Sequence, residues 1–414
     1  MLYCILLYIA IVVSLSYTAF AQQYRALCDG VELASYIKYL QASTDTLRLP
    51  ALVRVLRIDG TKAIVRIVHA KDAAIGLETT SQMAKRYDAL AAVNGGFFVM
   101  KGITAGDAAG VLQIDGRLLS EPYKERVACG LSDRSGQMYA VFGHLRWRGE
   151  VVLGHSFTLF GTALQALLPS YRIAGINRAR DSSEIVLYTP EFHRTTLTNT
   201  HGVELVIAKH IIVAIRDNMG SSVIPEDGFV VSCSGAAAAW ARKYARIGMF
   251  AHCMSEIEGS GLQQTRRFRN AQYIVGGVSM LVVDGVVHLT WQREEAPADF
   301  ALMRHPRTAI GRRADGRILL VTVDGRSTAS VGMTLQELAE LMQELGATEA
   351  INLDGGGSTT MVVRGEVINT PADPSGERPV SDAILVFPRV QDPKNRASTV
   401  SIVEYQHKSS ISSP

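Results

Sequence analysis

The clearest pattern of apolar and polar positions runs from residue 317 to residue 363. Ile318–Val323 is a continuous, β-prone apolar run, residues 335–345 repeat apolar side chains at helical spacing, and residues 350–353 turn apolar again. This order of periods predicts a strand, a helix and a second strand. A helical crossover makes the two strands parallel members of one sheet.

Both ends of the predicted helix carry sequence signals. Thr334 and Glu337 are three residues apart and predict a capping box at the first turn. Gly346 stands where a left-handed cap is expected at the carboxyl end. We therefore expect the helix to begin after Thr334 and to end before Gly346.

An Asp-Gly pair follows each of the two predicted strands. Asp324-Gly325-Arg326 follows the first strand, and Asp354 to Ser358 follows the second. Ligands bind in the crevice outside the carboxyl ends of strands in such sheets, so we expect the two carboxylates to share one rim. Gly355, Gly356 and Gly357 predict bare backbone whose N–H groups face an anion. A simple turn into the next strand is the alternative.

A second glycine turn resembles this one. Residues 91–98 read AAVNGGFF, against AINLDGGGS for residues 350–358, which puts Asn94 and Asn352 in comparable places. We interpret the two segments as related units whose turns, with Gly95 and Gly96 in the first, face one cleft. Chance similarity is the alternative, with Asn94 only accepting a positive φ.

The rest of the chain predicts many short strands. Residues 52–58 and 63–69 read as a hairpin around Asp59-Gly60, and residues 111–142 read as an antiparallel meander. Residues 31–40 are interpreted as helical. We predict an α+β fold of mixed β-sheets flanked by helices, in which the strand–helix–strand unit carries the active-site rim.

The amino-terminal segment predicts export. Residues 1–21 are uncharged and apolar and end in Ala19-Phe20-Ala21, a small-x-small cleavage pattern typical of a signal peptide. An uncleaved anchor is the alternative, and no other stretch is long and apolar enough to span a bilayer. We divide the remainder into an extension (22–50), one catalytic domain (51–390) and a tail (391–414), and expect a secreted or periplasmic protein.

Charge and cysteine content narrow the function further. A net charge of +3 over 414 residues gives no strong basic field, so composition does not support nucleic-acid binding. Without the predicted signal, four cysteines remain: Cys28, Cys129, Cys233 and Cys253. In an oxidising compartment an even number predicts two disulfides with three open connectivities, and free buried thiols are the alternative.

Several ordered motifs together resemble a known family. NGGFF, GVELVI, IPEDG, HPRTAIG, TVDGR, NLDGGGSTTMVV and GERPVSDAILV occur in this order, and the chain resembles the phosphodiester glycosidase family over residues 52–387. The resemblance implies removal of a sugar that is linked through its anomeric carbon to a phosphodiester. The positions that match the family's recurrent motifs are Asn94, Gly95, Gly96, Arg307, Thr308, Asp324, Arg326, Asn352, Asp354, Gly355, Gly356, Gly357, Ser358 and Arg378.

We assign roles to these residues as a hypothesis. Asp354 is the principal carboxylate and Asp324 its partner, because the oxocarbenium-like transition state of sugar transfer needs a carboxylate to stabilise it or to activate water. Arg307 and Arg326 hold the phosphate, since a planar guanidinium donates two parallel hydrogen bonds to it. Pro306 keeps the residue before it extended and so presents Arg307 from a stiff backbone.

The remaining polar matches are assigned to the substrate. Ser358, Thr308, Asn94 and Asn352 position it, and the glycines and Arg378 complete the binding site. Neighbouring strands would allow retention of the anomeric configuration, whereas one intervening strand would favour inversion.

Two alternatives to this reaction remain open. In a metal-dependent phosphodiesterase, Asp324 and Asp354 would hold a cation while water attacks phosphorus. The ten histidines show no paired spacing such as HxH, so calcium or magnesium held through oxygen ligands is the metal this alternative would use. The second alternative is a glycan-binding protein without catalysis. We predict no obligatory cofactor, a sugar-phosphate or glycan ligand and no nucleic-acid partner.

Overall fold

The structure is a computed structural model that describes residues 23–41, 48–159, 162–167 and 170–389. The predicted signal peptide and the tail from residue 391 lie outside the described residues. The described helices are α1 (Thr80–Arg86), α2 (Gly235–Tyr244), α3 (Leu262–Arg269), α4 (Ala298–Leu302) and α5 (Leu335–Glu344), with 3-10 turns at Ala70–Asp72 and Gly356–Ser358.

The described strands are β1 (Arg25–Cys28), β2 (Val31–Gln41), β3 (Arg48–Ile58), β4 (Ala63–His69), β5 (Ala91–Asn94), β6 (Leu112–Ile114), β7 (Arg117–Ser120), β8 (Val127–Arg134), β9 (Gln137–His144), β10 (Arg146–Leu159), β11 (Thr162–Leu167), β12 (Tyr171–Ile173), β13 (Gly175–Ile176), β14 (Ile185–Tyr188), β15 (Val203–Ala208), β16 (Ile211–Asp217), β17 (Gly228–Cys233), β18 (Phe250–Glu258), β19 (Tyr273–Gly276), β20 (Met280–Val283), β21 (Val286–Val287), β22 (Arg307–Arg313), β23 (Ile318–Val323), β24 (Ala347–Asn352), β25 (Met361–Val363), β26 (Glu366–Val367) and β27 (Asp382–Pro388).

The fold is mostly β, so the predicted α+β class is wrong. Among the described residues 45% lie in strands and 14% in helices, and most strand pairs are antiparallel. Many of these strands have only two to four residues. Strands this short show little alternation of apolar and polar residues in the sequence, whereas residues 335–345 show a clear helical period. The sequence therefore predicted a larger share of helix than the structure has.

Four sheets make up the described chain. The main sheet has the order β1-β2-β3-β23-β22-β24-β20-β21, and the second sheet has the order β26-β25-β5-β27-β4. The third sheet, β7-β6-β19-β8-β9, packs with both: Leu320 of the main sheet, Val93 of the second and Val127 of the third are fully buried in one core. Burial of this apolar area is the main force that holds the three sheets together.

The fourth sheet has a core of its own. It is formed by residues 146–258 in the order β11-β10-β18-β16-β15-β17-β14-β13, with β12 beside β10. Its fully buried residues include Leu205 of β15, Val231 of β17 and Ala241 of helix α2. The candidate site described below lies between the main and second sheets.

The strand–helix–strand unit forms as predicted. The Thr334 side chain accepts from the Glu337 N–H and the Glu337 carboxylate accepts from the Thr334 N–H, which is the predicted capping box. Gly346 has φ +81° after the helix, as a left-handed cap requires. The apolar side of α5, including Leu338, covers the Val321 side of the main sheet.

Three local predictions are wrong or incomplete. Residues 52–58 and 63–69 are strands, but they do not form a hairpin, because β3 pairs with β2 and β23 while β4 pairs with β27. Residues 31–40 form strand β2 rather than a helix. In the meander, β19 lies between β6 and β8. In each case the pairing of a strand depends on residues distant in the sequence. The local pattern of apolar and polar residues cannot predict such pairings.

Cys28, Cys129, Cys233 and Cys253 are free thiols, so the two predicted disulfides do not form. Burial raises the pKa of Cys129, Cys233 and Cys253, as expected for thiols packed as small apolar side chains. Within the described ranges no helix is long and apolar enough to cross a membrane.

Candidate active site

The two predicted acidic strand ends lie at the same edge of the main sheet. Strand β22 pairs antiparallel with β23, where Arg307 is opposite Val323, and with β24, where Ala309 is opposite Asn352. Strands β23 and β24 therefore run parallel with β22 between them, about 10 Å apart. Asp324 directly follows β23, and Asp354 comes two residues after the end of β24, so the structure brings these two residues to one edge, separated by one strand.

The carboxyl of Asp354 is less acidic than that of a free aspartic acid. Burial raises the pKa of its carboxyl from 3.8 to about 6, and the nearby Asp382 raises it further. The Ser358 hydroxyl, the Gly355 N–H and Arg378 act in the opposite direction. The Gly355 N–H donates to Asp354 Oδ1 at 2.8 Å. A carboxyl that titrates near neutral pH can exchange protons with water or a substrate in both directions.

The first glycine turn, at the end of β5, contacts the second. The Asn94 side-chain N–H donates to the Asp354 carbonyl at 2.8 Å, and the Asp354 N–H donates to the Gly95 carbonyl at 3.2 Å. Asn94 Oδ1 accepts from the Thr308 hydroxyl at 2.7 Å and from the Thr360 N–H at 3.2 Å. The structure therefore brings Asn94, Gly95 and Thr308 together with Asp354, and Asn94 and Thr308 are buried beneath it.

Asp382 is a carboxylate that the sequence reasoning missed. It begins β27, is 1% exposed, and its Oδ1 accepts from the Gly96 N–H at 2.8 Å. The Ser381 hydroxyl donates to its other oxygen, and burial raises its pKa. Asp382 lies inside the motif GERPVSDAILV, one of those that carry the family resemblance. An acidic residue within an otherwise apolar strand was the sequence signal that could have identified it. Its hydrogen bond with the Gly96 N–H holds the first glycine turn in place.

The glycine loop is flanked by two arginines. Arg378 Nε donates to Asp373 at 2.7 Å and its Nη1 lies 3.5 Å from the Ser358 hydroxyl. Arg326 is exposed and lies beside Gly356, where an added Cβ would be 3.1 Å from its Nη2. In the described part of the chain Arg326 forms no ion pair, and it adopts the uncommon φ of +63°. A strained, unpaired cation at a surface loop is a feature of binding sites.

The loop amides are used differently from the prediction. The Gly355 N–H donates to Asp354 and the Gly356 N–H donates to the Pro306 carbonyl at 2.9 Å. Two of the N–H groups that were expected to face an anion therefore hold the loop in place. The cations available to a phosphate at this edge are the guanidinium groups of Arg326 and Arg378.

Arg307 lies away from the surface that these arginines form. It is 1% exposed, its Nε donates to the Met333 carbonyl at 2.8 Å, and its Nη2 donates to the carbonyls of Phe300 and Met303 at 2.7 and 3.2 Å. Its guanidinium also lies over the Phe300 ring, and burial lowers its pKa to about 10. These contacts are those of a side chain that fixes the loop before β22.

Asp324 and Asn352 are both buried and each keeps one oxygen without a partner. Asp324 Oδ2 accepts from Arg54 at 2.8 Å and from the Thr370 N–H at 3.1 Å. Asn352 donates to the Leu353 and Val278 carbonyls. Asp324 Oδ1 and Asn352 Oδ1 have no hydrogen-bond partner among the described residues. Buried oxygens of this kind are uncommon and remain available as acceptors.

The described residues at this edge hold no cluster of metal ligands. Within the described ranges no three His, Cys, Asp or Glu side chains come close enough to hold a metal ion. A cavity of about 10 Å³ lies beside Gly96 and Asp382. Two cavities of about 540 and 570 Å³ lie against the fourth sheet, next to residues such as Ile176 and His252.

The fold and these side chains define a β-rich protein with a titratable carboxylate next to a glycine loop that two arginines flank. Comparison with known families identifies it further: residues 201–387 match the family described as phosphodiester glycosidase. Residues 201–387 of this chain are therefore similar to that family, and the resemblance predicted from its motifs is confirmed.

Individual relatives cover only parts of the chain. It is 43% identical over 84 residues to the SPbeta prophage-derived uncharacterized protein YomE of Bacillus subtilis (20% of this chain and 13% of that protein). It is 31% identical over 136 residues to N-acetylglucosamine-1-phosphodiester alpha-N-acetylglucosaminidase of Mus musculus (29% of this chain and 26% of that protein). The matches thus span less than a third of either relative.

A solved structure matches more of the fold. A putative exported protein from Burkholderia pseudomallei K96243 has a TM-score of 0.67 and 28% sequence identity to this chain. The match covers 82% of this chain and 74% of that one.

Proposed function

We propose that this protein is an extracytoplasmic hydrolase that cleaves a sugar-1-phosphodiester at the anomeric carbon and leaves a phosphomonoester. One observation carries the proposal: Asp354, with a pKa of about 6, lies at a strand end next to Arg378 and a glycine loop that Arg326 also flanks. This arrangement combines a proton acceptor with two groups that bind phosphate. The family match supports the same class of substrate.

Asp354 acts as the general base in this proposal. Above pH 6 its carboxylate accepts a proton from a water molecule while the water oxygen bonds to the anomeric carbon. The bond between that carbon and the bridging oxygen breaks, and the bridging oxygen leaves with the phosphate. The sugar gains the hydroxyl group, and the proton stays on Asp354 until it returns to solvent.

The arginines act on the leaving group. A phosphomonoester has a second pKa near ~6, so it can depart with little protonation if its charge is held. Arg326 and Arg378 supply that charge, and Ser358 links Arg378 to Asp354. Such preorganised cations stabilise the charge that develops in the transition state. The proposal does not use Arg307 as a phosphate ligand, because its side chain is buried and its Nε and Nη2 donate to backbone carbonyls.

We further propose that the reaction inverts the anomeric configuration. The intervening strand β22 puts the ends of β23 and β24 about 10 Å apart, which leaves room for a water molecule between substrate and base. Asp324, with its unpartnered oxygen, is the second carboxylate of this proposal. Asn352 Oδ1 is available in the same way for a sugar hydroxyl.

An extracytoplasmic location is part of the proposal. It is supported by the uncharged apolar segment at residues 1–21 and by the similarity to a putative exported protein. Reporter fusions tested for secretion with and without residues 1–21 would examine it. Equal retention inside the cell in both cases would contradict this part of the proposal.

Hydrolysis in ¹⁸O-labelled water tests the reaction itself. The protein is incubated with simple sugar-1-phosphodiesters, such as N-acetylglucosamine 1-(methyl phosphate), and the products are analysed by mass spectrometry. Label in the sugar supports cleavage at carbon, whereas label in the phosphate would show attack on phosphorus and refute the proposal. NMR detection of the first sugar anomer formed tests inversion. The Asp354→Asn variant is the matched control, because it removes the base and keeps the shape of the side chain.

A further inference from the structure

A cavity with three arginines lies at the far end of β22 from the candidate active site. It has a volume of about 320 Å³ and is lined by Arg134, Arg267 and Arg312, with Tyr139 and Ser132. Arg312 is five residues from Arg307 along β22, which is about 17 Å at the rise of a strand. We call this cavity the arginine cavity. It is separate from the site around Asp354.

The charges of the arginine cavity are largely uncompensated. Arg312 is paired with Glu349 from the neighbouring strand β24. Arg134 and Arg267 form no ion pair with any described residue, and the nearby Asp133 is paired with Arg389 at 2.8 Å. Arg312 Nε is in addition buried without an acceptor. Three cations with one anion leave a net positive charge of two, which attracts an anion.

The local packing fixes the cavity walls. Phe268 of helix α3 is fully buried against Gly130 of β8, where an added Cβ would lie 3.0 Å from the ring. Its neighbour Arg267 is thereby held at the cavity. Arg134 lies at the turn of the β8–β9 hairpin, and Tyr139 lies opposite Ser132 in the same hairpin. Three separate elements therefore converge on the cavity in a defined geometry.

We propose that the arginine cavity is a second binding site, for a sugar that carries a phosphate group. Arginine forks bind phosphate oxygens with two parallel hydrogen bonds. Tyr139 is 47% exposed and offers an aromatic face and a hydroxyl group to the remainder of the ligand. The volume lies at the lower end of the range for small-molecule sites, which suits one phosphorylated sugar rather than a long chain.

Calorimetric titration tests this site with glucose 6-phosphate, glucose and inorganic phosphate as probes, at low ionic strength. We expect saturable binding of glucose 6-phosphate that weakens at least about tenfold in Arg267→Gln and in Arg134→Gln. The control Arg266→Gln removes a charge from the same exposed helix outside the cavity and should leave the affinity unchanged. All three positions are exposed, so each variant is expected to fold.

Further variants separate this site from the catalytic one. Arg326→Ala alters the proposed active site and should leave glucose 6-phosphate binding at the arginine cavity intact. Hydrolysis of a small sugar-1-phosphodiester should in turn be unaffected by Arg267→Gln. Binding that is equal for inorganic phosphate and glucose 6-phosphate, binding that Arg267→Gln leaves unchanged, or binding that Arg326→Ala abolishes would each overturn the proposal.

Discussion

Replacing Asp354 with asparagine should stabilise the protein while abolishing its activity. Folding raises the pKa of this carboxyl from 3.8 to about 6. Each pKa unit corresponds to about 1.4 kcal/mol of difference between the two protonation states. The ionised carboxylate therefore costs about 3 kcal/mol of folding free energy at neutral pH. Asparagine keeps the acceptor for the Gly355 N–H and carries no charge.

The direction of the pKa shift of Asp354 determines the pH range in which wild type and Asp354→Asn should differ in stability. Because the folded state has the higher pKa, it binds the proton more tightly than the unfolded state does. The wild type therefore loses stability relative to Asp354→Asn as the pH rises from 3.8 to about 6, and the difference is constant above that. Urea unfolding followed by tryptophan fluorescence at pH 3.5, 5 and 7.5 measures the difference in free energy of unfolding.

A control with the opposite sign is available in the same region. Hydrogen bonds from Ser375, together with Arg378, lower the pKa of Asp373 to about 2. Asp373→Asn should therefore destabilise the protein at neutral pH, and this loss should shrink as the pH falls through 3.8 toward 2. A difference between wild type and Asp354→Asn that does not grow between pH 3.5 and 7.5 would refute the reasoning about the buried charge. Normal turnover by Asp354→Asn would refute its catalytic role.

Three other predictions concern the surrounding side chains. Ser358→Ala removes a hydroxyl that lowers the pKa of Asp354, so the rise of kcat/KM near pH 6 should move to higher pH. An unchanged pH profile would contradict the contact between Ser358 and Asp354. Arg326→Ala should lower kcat/KM by about 10- to 100-fold, the size of one charged hydrogen bond, whereas Arg172→Ala on the fourth sheet should not. Arg307→Met should lower the free energy of unfolding by at least ~2 kcal/mol with KM unchanged; a raised KM in a stable variant would restore Arg307 as a phosphate ligand.

The sequence was most informative where the physical cause is local. The capping box of Thr334 and Glu337 depends on residues three apart, and the cap at Gly346 depends on one backbone conformation. Both were predicted and both form. The parallel order of β23 and β24 also follows from the helix between them. The intervening strand β22 could not be predicted, because it comes earlier in the chain and inserts between them.

Pairings over long distances account for the errors in the fold. The alternating segments around Asp59 suggested a hairpin, yet their partners are β2, β23 and β27, and β27 lies more than 300 residues further along the chain. The same limit applies to the site. Asp354 and its glycines form a contiguous motif, whereas Asp382 gains its role from a contact with Gly96, 286 residues away.

The glycines of the site have a different physical explanation from the one the sequence suggested. A Cβ on Gly95 would lie 2.0 Å from Asp382 Oδ1, and a Cβ on Gly357 would lie 2.3 Å from Arg378 Nη2. At these positions glycine leaves room for a charged side chain that arrives from another part of the chain. Asp382 and Arg378 can therefore pack against the two turns, because the glycines have no side chains at the points of contact. The amides at Gly355 and Gly356 hold the loop. In our proposal the phosphate is therefore bound by the two arginines.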